Sequence, residues 1–230
     1  MFHPHGLPAE LEKLDRTLVM GVINVTPDSF SDGGKFLNAR TAIEEGQLMM
    51  KHGADIIDIG GESTRPGSER VTVDEELTRV IPVIQELVSD GAVISIDTMR
   101  AEVARAAVDA GAAIINDISG GKSDPEMLPY VASTNLPYIL MHWRGPSNVM
   151  QQLTDYNNVA HDVAREISEQ VDVAVAAGVS RHRIVVDPGI GFGKTLEHNL
   201  EIISKISLFH SLGYPIMVGP SRKSLSLIHI

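Results

Sequence analysis

One arrangement recurs along this chain and limits the folds that it can adopt: a short apolar run ends in a polar residue, and the backbone then turns. The clearest example is Ile184–Val186, which is followed by Asp187, Pro188 and Gly189. β-Branched runs of this length are typical of strands that are buried on both faces. The same arrangement recurs near Asn24, Gly60, Asp97, Asn116, His142 and Gly219. The polar residues follow the carboxyl end of each predicted strand, which is where α/β proteins bind ligands.

Segments with helical periodicity separate these runs, so strands and helices alternate through the chain. Strands are predicted at about 17–24, 55–60, 92–97, 113–117, 138–141, 183–187 and 215–219. Helices are predicted at about 39–52, 73–89, 100–110, 125–133, 155–177 and 196–212, and Pro82 is expected to kink or restart the second. Each crossover is long enough to join parallel strands. Seven βα units favour an α/β fold, a (β/α)8 TIM barrel lacking its last βα unit, with a doubly wound sheet as the alternative.

The composition limits the partners and the location. A chain of 230 residues suits one α/β domain, and its net charge of −11 gives no basic surface for nucleic acid. It contains no cysteine, hence no disulfide or thiolate site. We find no signal peptide pattern and no apolar run near the roughly 18 residues that span a bilayer. We therefore expect a cytoplasmic protein with small-molecule substrates, without nucleic acid or membrane partners.

Residues 1–16 are polar and irregular, and they are predicted to form a flexible N-terminal segment. This segment contains His3 and His5, a pair that metal-dependent hydrolases on barrel folds place at the end of the first strand. Here the pair precedes the first apolar run. The sequence therefore favours a mobile tail over a metal site.

Two turn-rich loops each carry one unusual side chain. Residues 26–34 contain Phe30, which could make a satellite hydrophobic contact or form the aromatic tip of a mobile lid. Residues 61–67 contain Arg65, which could be solvated. Beside a hydroxyl and a rigid proline, it could instead hold an anion.

The glycine-rich run GIGFGKT at residues 189–195 suggests a nucleotide-binding loop, but its spacing does not fit. Pro188 stands where a phosphate-binding P-loop needs its first glycine. The third glycine of a dinucleotide fingerprint is also missing. These glycines are instead expected to let the backbone turn tightly after Asp187.

Three predicted strands end in side chains that can hydrogen-bond a ligand: Asp97, Asn116 and Asp187. One acidic strand end alone is commonly structural, for instance as a helix cap. Together with Lys223, these side chains would converge above a barrel core and suit a flat heterocycle rich in N–H and C=O groups. An anionic group at the rim could be bound by Asn24, Arg65 and Ser221.

Two long stretches resemble the signatures of the dihydropteroate synthases: MGVINVTPDSFSDGG at residues 20–34 and DIGGESTRPG at residues 58–67. Shorter stretches are similar too, at residues 95–98, 116–121, 140–142, 187–194 and 221–224. The resemblance covers about residues 17–224 and implies a pterin-binding barrel domain there. It implies a transferase of folate synthesis, which joins p-aminobenzoate to 6-hydroxymethyl-7,8-dihydropterin diphosphate and yields 7,8-dihydropteroate and diphosphate.

The resemblance also implies which residues form the site. The pterin pocket would contain Asp97, Asn116, Met141, Asp187 and Lys223, with Met141 packed on the ring. The aminobenzoate side would contain Phe30, Thr64, Arg65, Pro66 and Ser221. Asn24 would bind Mg²⁺ at the diphosphate. Among these residues, Arg65 is expected to neutralise the leaving group together with Mg²⁺, and Asp97 to stabilise a cationic pterin methylene. Lys223 is expected to hold an acceptor or to orient a carboxylate.

The chain departs from the family pattern after Ser224. The family continues into a helix, an eighth strand with Arg and His for the diphosphate, and a last helix, whereas residues 225–230 here are LSLIHI. We expect these six residues to be a non-native tail. An incomplete barrel is expected to be unstable and poorly active, because its outer strands keep open edges. The full-length protein is expected to be a homodimer.

Two other functions are compatible with a pterin-binding barrel. One is a catalytically silent pterin-binding homologue, which would bind the pterin without turnover. The other is a pterin-dependent methyltransferase linked to a corrinoid protein. The methyltransferase is not expected to need the loops at residues 26–34 and 63–67.

Overall fold

The computed structural model describes residues 3–26, 35–63, 70–146 and 148–220. Its strands are β1 (Met20–Asn24), β2 (Ile56–Gly60), β3 (Ile94–Asp97), β4 (Ile114–Asp117), β5 (Tyr138–Met141) and β6 (Ile184–Asp187). Its helices are α1 (Ala9–Glu12), α2 (Lys35–Lys51), α3 (Val73–Ser89), α4 (Ala101–Asp109), α5 (Met127–Ser133), α6 (Val159–Ala176), α7 (Leu196–Ser204) and α8 (Ile206–His210). Within these ranges no helix is long and apolar enough to cross a membrane.

The order of the strands distinguishes the two candidate folds. The strands are all parallel and pair in the order β1-β2-β3-β4-β5-β6. A doubly wound sheet reverses its strand order at a switch point. Here each βα unit adds the next strand on the same side, as in a TIM barrel. The predicted α/β fold of TIM-barrel type is confirmed, and the doubly wound alternative is not supported.

The predicted seventh strand is present only as a single bridge. The Val186 N–H donates to the Pro215 carbonyl at 2.9 Å, and the Met217 N–H donates to the Val186 carbonyl at 2.9 Å. These bonds form one parallel bridge, between Val186 and Ile216. In the part of the chain that the structure describes, this segment pairs only with β6.

The structure excludes one of the two effects predicted for Pro82, and it divides another predicted helix. α3 continues without a break through Pro82, so this residue does not restart the helix. The helix predicted at residues 196–212 is divided into α7 and α8 at Lys205, which has φ −110° and ψ 25° and so leaves the helical region.

The outward faces of the strands form the main hydrophobic core with the helices. Ile59 of β2, Ile96 of β3 and Leu140 of β5 are completely buried. They belong to the same cluster as Leu87 of α3 and Ile167 of α6. Since side chains alternate along a strand, the residues between them point to the opposite, inner face.

A second, smaller cluster lies on the inner face at the amino ends of the strands. Ile56, Ile114 and Ile139 are buried there together with Leu7 and Leu11 from the N-terminal segment. Leu7 lies just before α1, and Leu11 lies within it. Residues 3–16, including α1, are therefore packed against the sheet, which differs from the flexible segment predicted from the sequence.

Backbone contacts also hold the N-terminal segment. The His5 N–H donates to the His182 carbonyl at 2.7 Å, and the two imidazole rings are stacked with centroids 5.0 Å apart. His3 Nε2 lies 2.8 Å from the Leu14 carbonyl oxygen. These contacts place the histidine pair beside the amino ends of the strands, away from the polar carboxyl ends.

We predict that Leu11→Ala lowers the free energy of unfolding by about 2 kcal/mol or more, because it removes a buried side chain and leaves a cavity. Urea denaturation monitored by circular dichroism would measure this. The control is Glu12→Ala on the same helix, at an exposed position. Equal stability of the two variants would show that the segment does not pack in solution.

Candidate functional site

Polar side chains occupy the inner face of the strands above the small apolar cluster. Asp58, Asn116 and Asp187 are 3%, 3% and 5% exposed. Each follows, two residues later, an inward-facing apolar residue on its own strand. Asp97 is level with Asn116 in the β3–β4 register, and Met141 is level with Asp187 in the β5–β6 register. The structure therefore brings four of the predicted site residues, Asp97, Asn116, Met141 and Asp187, to one end of the sheet.

Six other predicted site residues lie outside the described residues: Phe30, Thr64, Arg65, Pro66, Ser221 and Lys223. The segment predicted to be a non-native tail, residues 225–230, also lies outside them. The roles predicted for these residues stay predictions.

Asp58 is a member of the polar layer that was not predicted as a site residue. The Asn116 Nδ2 group donates to Asp58 Oδ1 at 3.3 Å and to Oδ2 at 3.1 Å. Burial raises the pKa of the Asp58 carboxyl to about 6; hydrogen bonding by Ser95 and Asn116 opposes the rise, and the charge of Asp187 adds to it. One feature of the sequence could have identified Asp58 as a site residue: it is the single charged residue within the apolar run Ile56–Ile59.

The oxygen end of the Asn116 amide differs from the nitrogen end, which is bonded to Asp58. In the described part of the chain, Asn116 Oδ1 is buried and has no hydrogen-bond partner. A buried carbonyl oxygen without a partner costs roughly 1–3 kcal/mol. An N–H group of a ligand bound over the layer would satisfy this oxygen.

The backbone turns sharply after Asp187, as predicted. Asp187 Oδ1 accepts a hydrogen bond from the Gly189 N–H at 2.7 Å. Gly189 has a φ of +69°, and a Cβ at this position would lie 2.9 Å from the His142 carbonyl oxygen. A side chain would therefore disturb the turn that places the Asp187 carboxylate.

A buried lysine holds the glycine-rich loop in place. The Lys194 ammonium donates to the carbonyls of Gly189 at 3.0 Å and Phe192 at 2.9 Å. It also lies 3.0 Å from Nδ1 of His142. Lys194 is only 4% exposed, so its charge is directed into the loop. This arrangement agrees with the prediction that the loop is not a P-loop, in which the lysine would reach a phosphate.

The same contacts define the state of His142. An ammonium only donates, so His142 Nδ1 accepts from Lys194, and Nε2 carries the proton toward Glu166 Oε2 at 2.9 Å. Burial, together with the Lys194 charge, lowers the pKa of His142 to about 4, although Glu166 opposes the change. The imidazole is therefore neutral at neutral pH.

Glu166 connects this histidine to the loop after β5. Arg144 binds Glu166 in a bidentate ion pair, with Nη2 2.6 Å from Oε1 and Nε 2.9 Å from Oε2. The Arg144 guanidinium also lies 3.7 Å from the centroid of the Tyr156 ring, and the Tyr156 hydroxyl donates to the Gly193 carbonyl at 3.0 Å. The loops after β5 and β6 are thus joined, which fixes the strand ends that carry Met141 and Asp187.

A second charged network lies next to Asp97. Arg100 pairs with Glu62 at 2.9 Å and with Glu76, which is 1% exposed. The Thr98 hydroxyl donates to Glu76 at 2.6 Å, and Arg70 lies 3.2 Å from Glu62. This network connects the ends of β2 and β3 to α3.

Two oxygens face a common space above β2. A Cβ at Gly60 would lie 3.4 Å from Asn24 Oδ1 and 3.4 Å from Asp97 Oδ2. Both oxygens therefore lie beside the position that a side chain at Gly60 would occupy. Amide and carboxylate oxygens fit Mg²⁺, which keeps several waters and is commonly completed by phosphate oxygens. No group of three or more His, Cys, Asp or Glu residues that could hold a metal occurs in the described ranges.

Comparison with known proteins gives close matches along the chain. Residues 20–229 match the family model described as "Pterin binding enzyme". Dihydropteroate synthase of Synechocystis sp. is 50% identical over 227 residues, covering 97% of this chain and 78% of that protein. The structure of Xanthomonas albilineans dihydropteroate synthase with 4-aminobenzoic acid is 43% identical, with a TM-score of 0.85, covering 92% of this chain and 75% of that one. The same enzyme in complex with 7,8-dihydropteroate gives 41% identity, a TM-score of 0.81, and coverage of 91% and 74%.

We predict that His142 makes stability depend on pH. Because its folded pKa of about 4 lies below its ordinary value of 6.5, the unfolded chain binds more protons between these values. Stability is therefore lost as pH falls from 6.5 toward 4, by roughly 3 kcal/mol at about 1.4 kcal/mol per unit of pKa.

His142→Asn removes this titration, while its amide can still meet Lys194 or Glu166. The difference in unfolding free energy between the native protein and this variant should change across the interval. Urea titrations at several pH values would measure the change, with the exposed His210→Asn as control. Parallel curves for the native protein and His142→Asn would contradict the assignment.

Proposed function

The chain belongs to the family of pterin binding enzymes, and from this we propose that its buried polar layer is the pterin pocket of a dihydropteroate synthase. The predicted family and the predicted transferase activity in folate synthesis are confirmed by the relatives. We assign the pterin-binding domain to residues 17–224, with residues 3–16 packed against its amino end.

The orphaned oxygen of Asn116 is the observation that supports this pocket best. A pterin has an amino group and ring N–H groups along one edge. Asn116 Oδ1 and the Asp187 carboxylate offer acceptors on the inner face, as that edge requires. Met141, which is 1% exposed, offers an apolar contact beside them for the flat ring.

The reaction joins the pterin methylene to the aminobenzoate nitrogen. The bond from the methylene carbon to the diphosphate oxygen breaks, and the arylamine nitrogen then forms the new bond and releases a proton. Asp97 lies at the end of β3, where its negative charge would stabilise the positive charge that develops on the methylene. The neutral His142 lies behind the strand end, and its part is to hold the loop that follows Asp187.

Mg²⁺ is part of this proposal, with Asn24 and Asp97 as the residues that would hold it. When bound, the ion supplies positive charge to the leaving diphosphate. The exposed Asn24 oxygen and the space above Gly60 support this assignment. Because these two residues alone cannot complete six ligands, the site requires water or diphosphate oxygens.

The remaining parts of the proposal come from the sequence. They are the aminobenzoate contacts of Phe30, Thr64, Arg65, Pro66 and Ser221, the role of Lys223, the cytoplasmic location, and the homodimer of the full-length protein. The relative whose structure was solved with 4-aminobenzoic acid supports p-aminobenzoate as a substrate.

A turnover assay tests the proposed function directly. The protein is incubated with 6-hydroxymethyl-7,8-dihydropterin diphosphate, p-aminobenzoate and Mg²⁺, and dihydropteroate and diphosphate are quantified. We expect the two products in equal amounts, formed at the low rate that the sequence predicts, and loss of turnover when EDTA removes the metal. Binding of the pterin in calorimetry without product formation would instead identify a catalytically silent homologue.

We predict that Asp187→Asn weakens pterin binding, because the variant loses a charged acceptor. A hydrogen bond to a charged group contributes about 1.5–3 kcal/mol, so the dissociation constant should rise about 10- to 100-fold. Calorimetry with the uncharged 6-hydroxymethyl-7,8-dihydropterin would measure this. The exposed Asp109→Asn is the matched control. An unchanged affinity would remove Asp187 from the pocket.

A further inference from the structure

We propose that Asp58 is a positioning residue for the pterin site: it fixes the Asn116 amide so that Oδ1, and not Nδ2, faces the ligand. This inference rests on the proposed function, and it assigns Asp58 a role in recognising the N–H edge of the substrate.

The geometry determines the orientation of the amide. Asn116 Nδ2 lies 3.3 Å and 3.1 Å from the two oxygens of Asp58. An ionised carboxylate only accepts hydrogen bonds, and an amide has donors at one end only. A flipped amide would place Oδ1 against the Asp58 oxygens, so acceptors would face each other in a buried site. The carboxylate therefore keeps the donor end on its own side.

The opposite end of the amide is then available to the ligand. Within the described ranges, Asn116 Oδ1 is buried and has no partner. The neighbouring Asp187 also presents oxygens, so the layer offers acceptors to a donor edge. A ligand that carries a carbonyl in place of an N–H at this position would meet an acceptor instead of a donor. Asp58 thus determines the chemical class of ligand edge that the site accepts.

The position of Asp58 in the strand supports a functional reason for the carboxylate. It stands between Ile57 and Ile59, which are buried in the main core, and it is itself 3% exposed. Burying a carboxylate is unfavourable, as its raised pKa of about 6 shows. An apolar residue would avoid this cost, but it would leave the Asn116 amide free to turn.

Asp58 acts through Asn116 and not on the substrate. The hydrogen bonds from the Asn116 amide place both Asp58 oxygens behind Asn116, two residues before the end of β2. The residues at the carboxyl ends, Asp97, Asn116 and Asp187, lie nearer the proposed ligand. Asp58 is therefore not expected to exchange a proton with the reacting atoms.

The test compares two variants in calorimetry with uncharged 6-hydroxymethyl-7,8-dihydropterin. Asp58→Asn has nearly the same shape but offers both a donor and an acceptor, so both orientations of the Asn116 amide become possible. We expect the dissociation constant to rise about tenfold. We also expect the KM for the pterin diphosphate to rise, with little change in the KM for p-aminobenzoate.

The double variant D58N/N116D reverses the pair and serves as the rescue. Here Asn at position 58 donates to one oxygen of Asp at position 116, and the other oxygen again faces the ligand as an acceptor. We expect its pterin affinity to return to within about threefold of the native protein. A merely structural role for Asp58 predicts no recovery.

A measurement on the native protein covers the case in which Asp58→Asn fails to fold. In NMR spectra of the ligand-free protein, the side-chain amide protons of Asn116 should be protected from exchange with solvent. A rapidly exchanging amide would overturn the proposal. It is also overturned if Asp58→Asn binds the pterin as tightly as the native protein, or if the double variant binds no better than the single one. Failure of the native protein to bind the pterin would instead refute the proposed function.

Discussion

Each strand of this protein divides its side chains between two environments, because successive side chains point to opposite faces. On β2, Ile57 and Ile59 are buried among the helices, while Ile56 and Asp58 belong to the inner face. A shift of one residue in the register would exchange these sets and place a carboxylate against the helices. The parallel register of the six strands therefore maintains both the core and the polar layer.

Two carboxylates buried on opposite faces of the sheet, Asp117 and Asp58, are supplied with hydrogen-bond partners. On the outer face, Asp117 accepts from the Ser119 N–H at 2.8 Å, the Gly121 N–H at 2.7 Å and the Tyr138 hydroxyl at 3.0 Å. On the inner face, Asp58 accepts from Asn116. The unpartnered Asn116 Oδ1 differs from these groups. Buried polar atoms are normally satisfied, so this oxygen supports the proposed ligand site.

The loops at the carboxyl ends of the strands are held by ion pairs and by hydrogen bonds to charged groups. Lys194, Glu166 and Arg144 join the loops after β5 and β6. Arg100 and Glu76 connect the ends of β2 and β3 to α3. Such networks keep strand-end side chains in place before a ligand arrives, which reduces the reorganisation that binding and reaction require.

The sequence by itself determined the alternating strands and helices, the family, and the convergence of Asp97, Asn116 and Asp187, because these depend on local periodicity and on short motifs. It did not determine that Leu7 and Leu11 pack under the strands, or that residues 215–219 form only one bridge. Nor did it reveal that Asp58 orients Asn116, or that Lys194 lies against His142, whose pKa is lowered by burial and then by the Lys194 charge. Those pairs are 58 and 52 residues apart along the chain. Only the tertiary structure brings them together, since a side chain's hydrogen-bond partner is decided by distance in space.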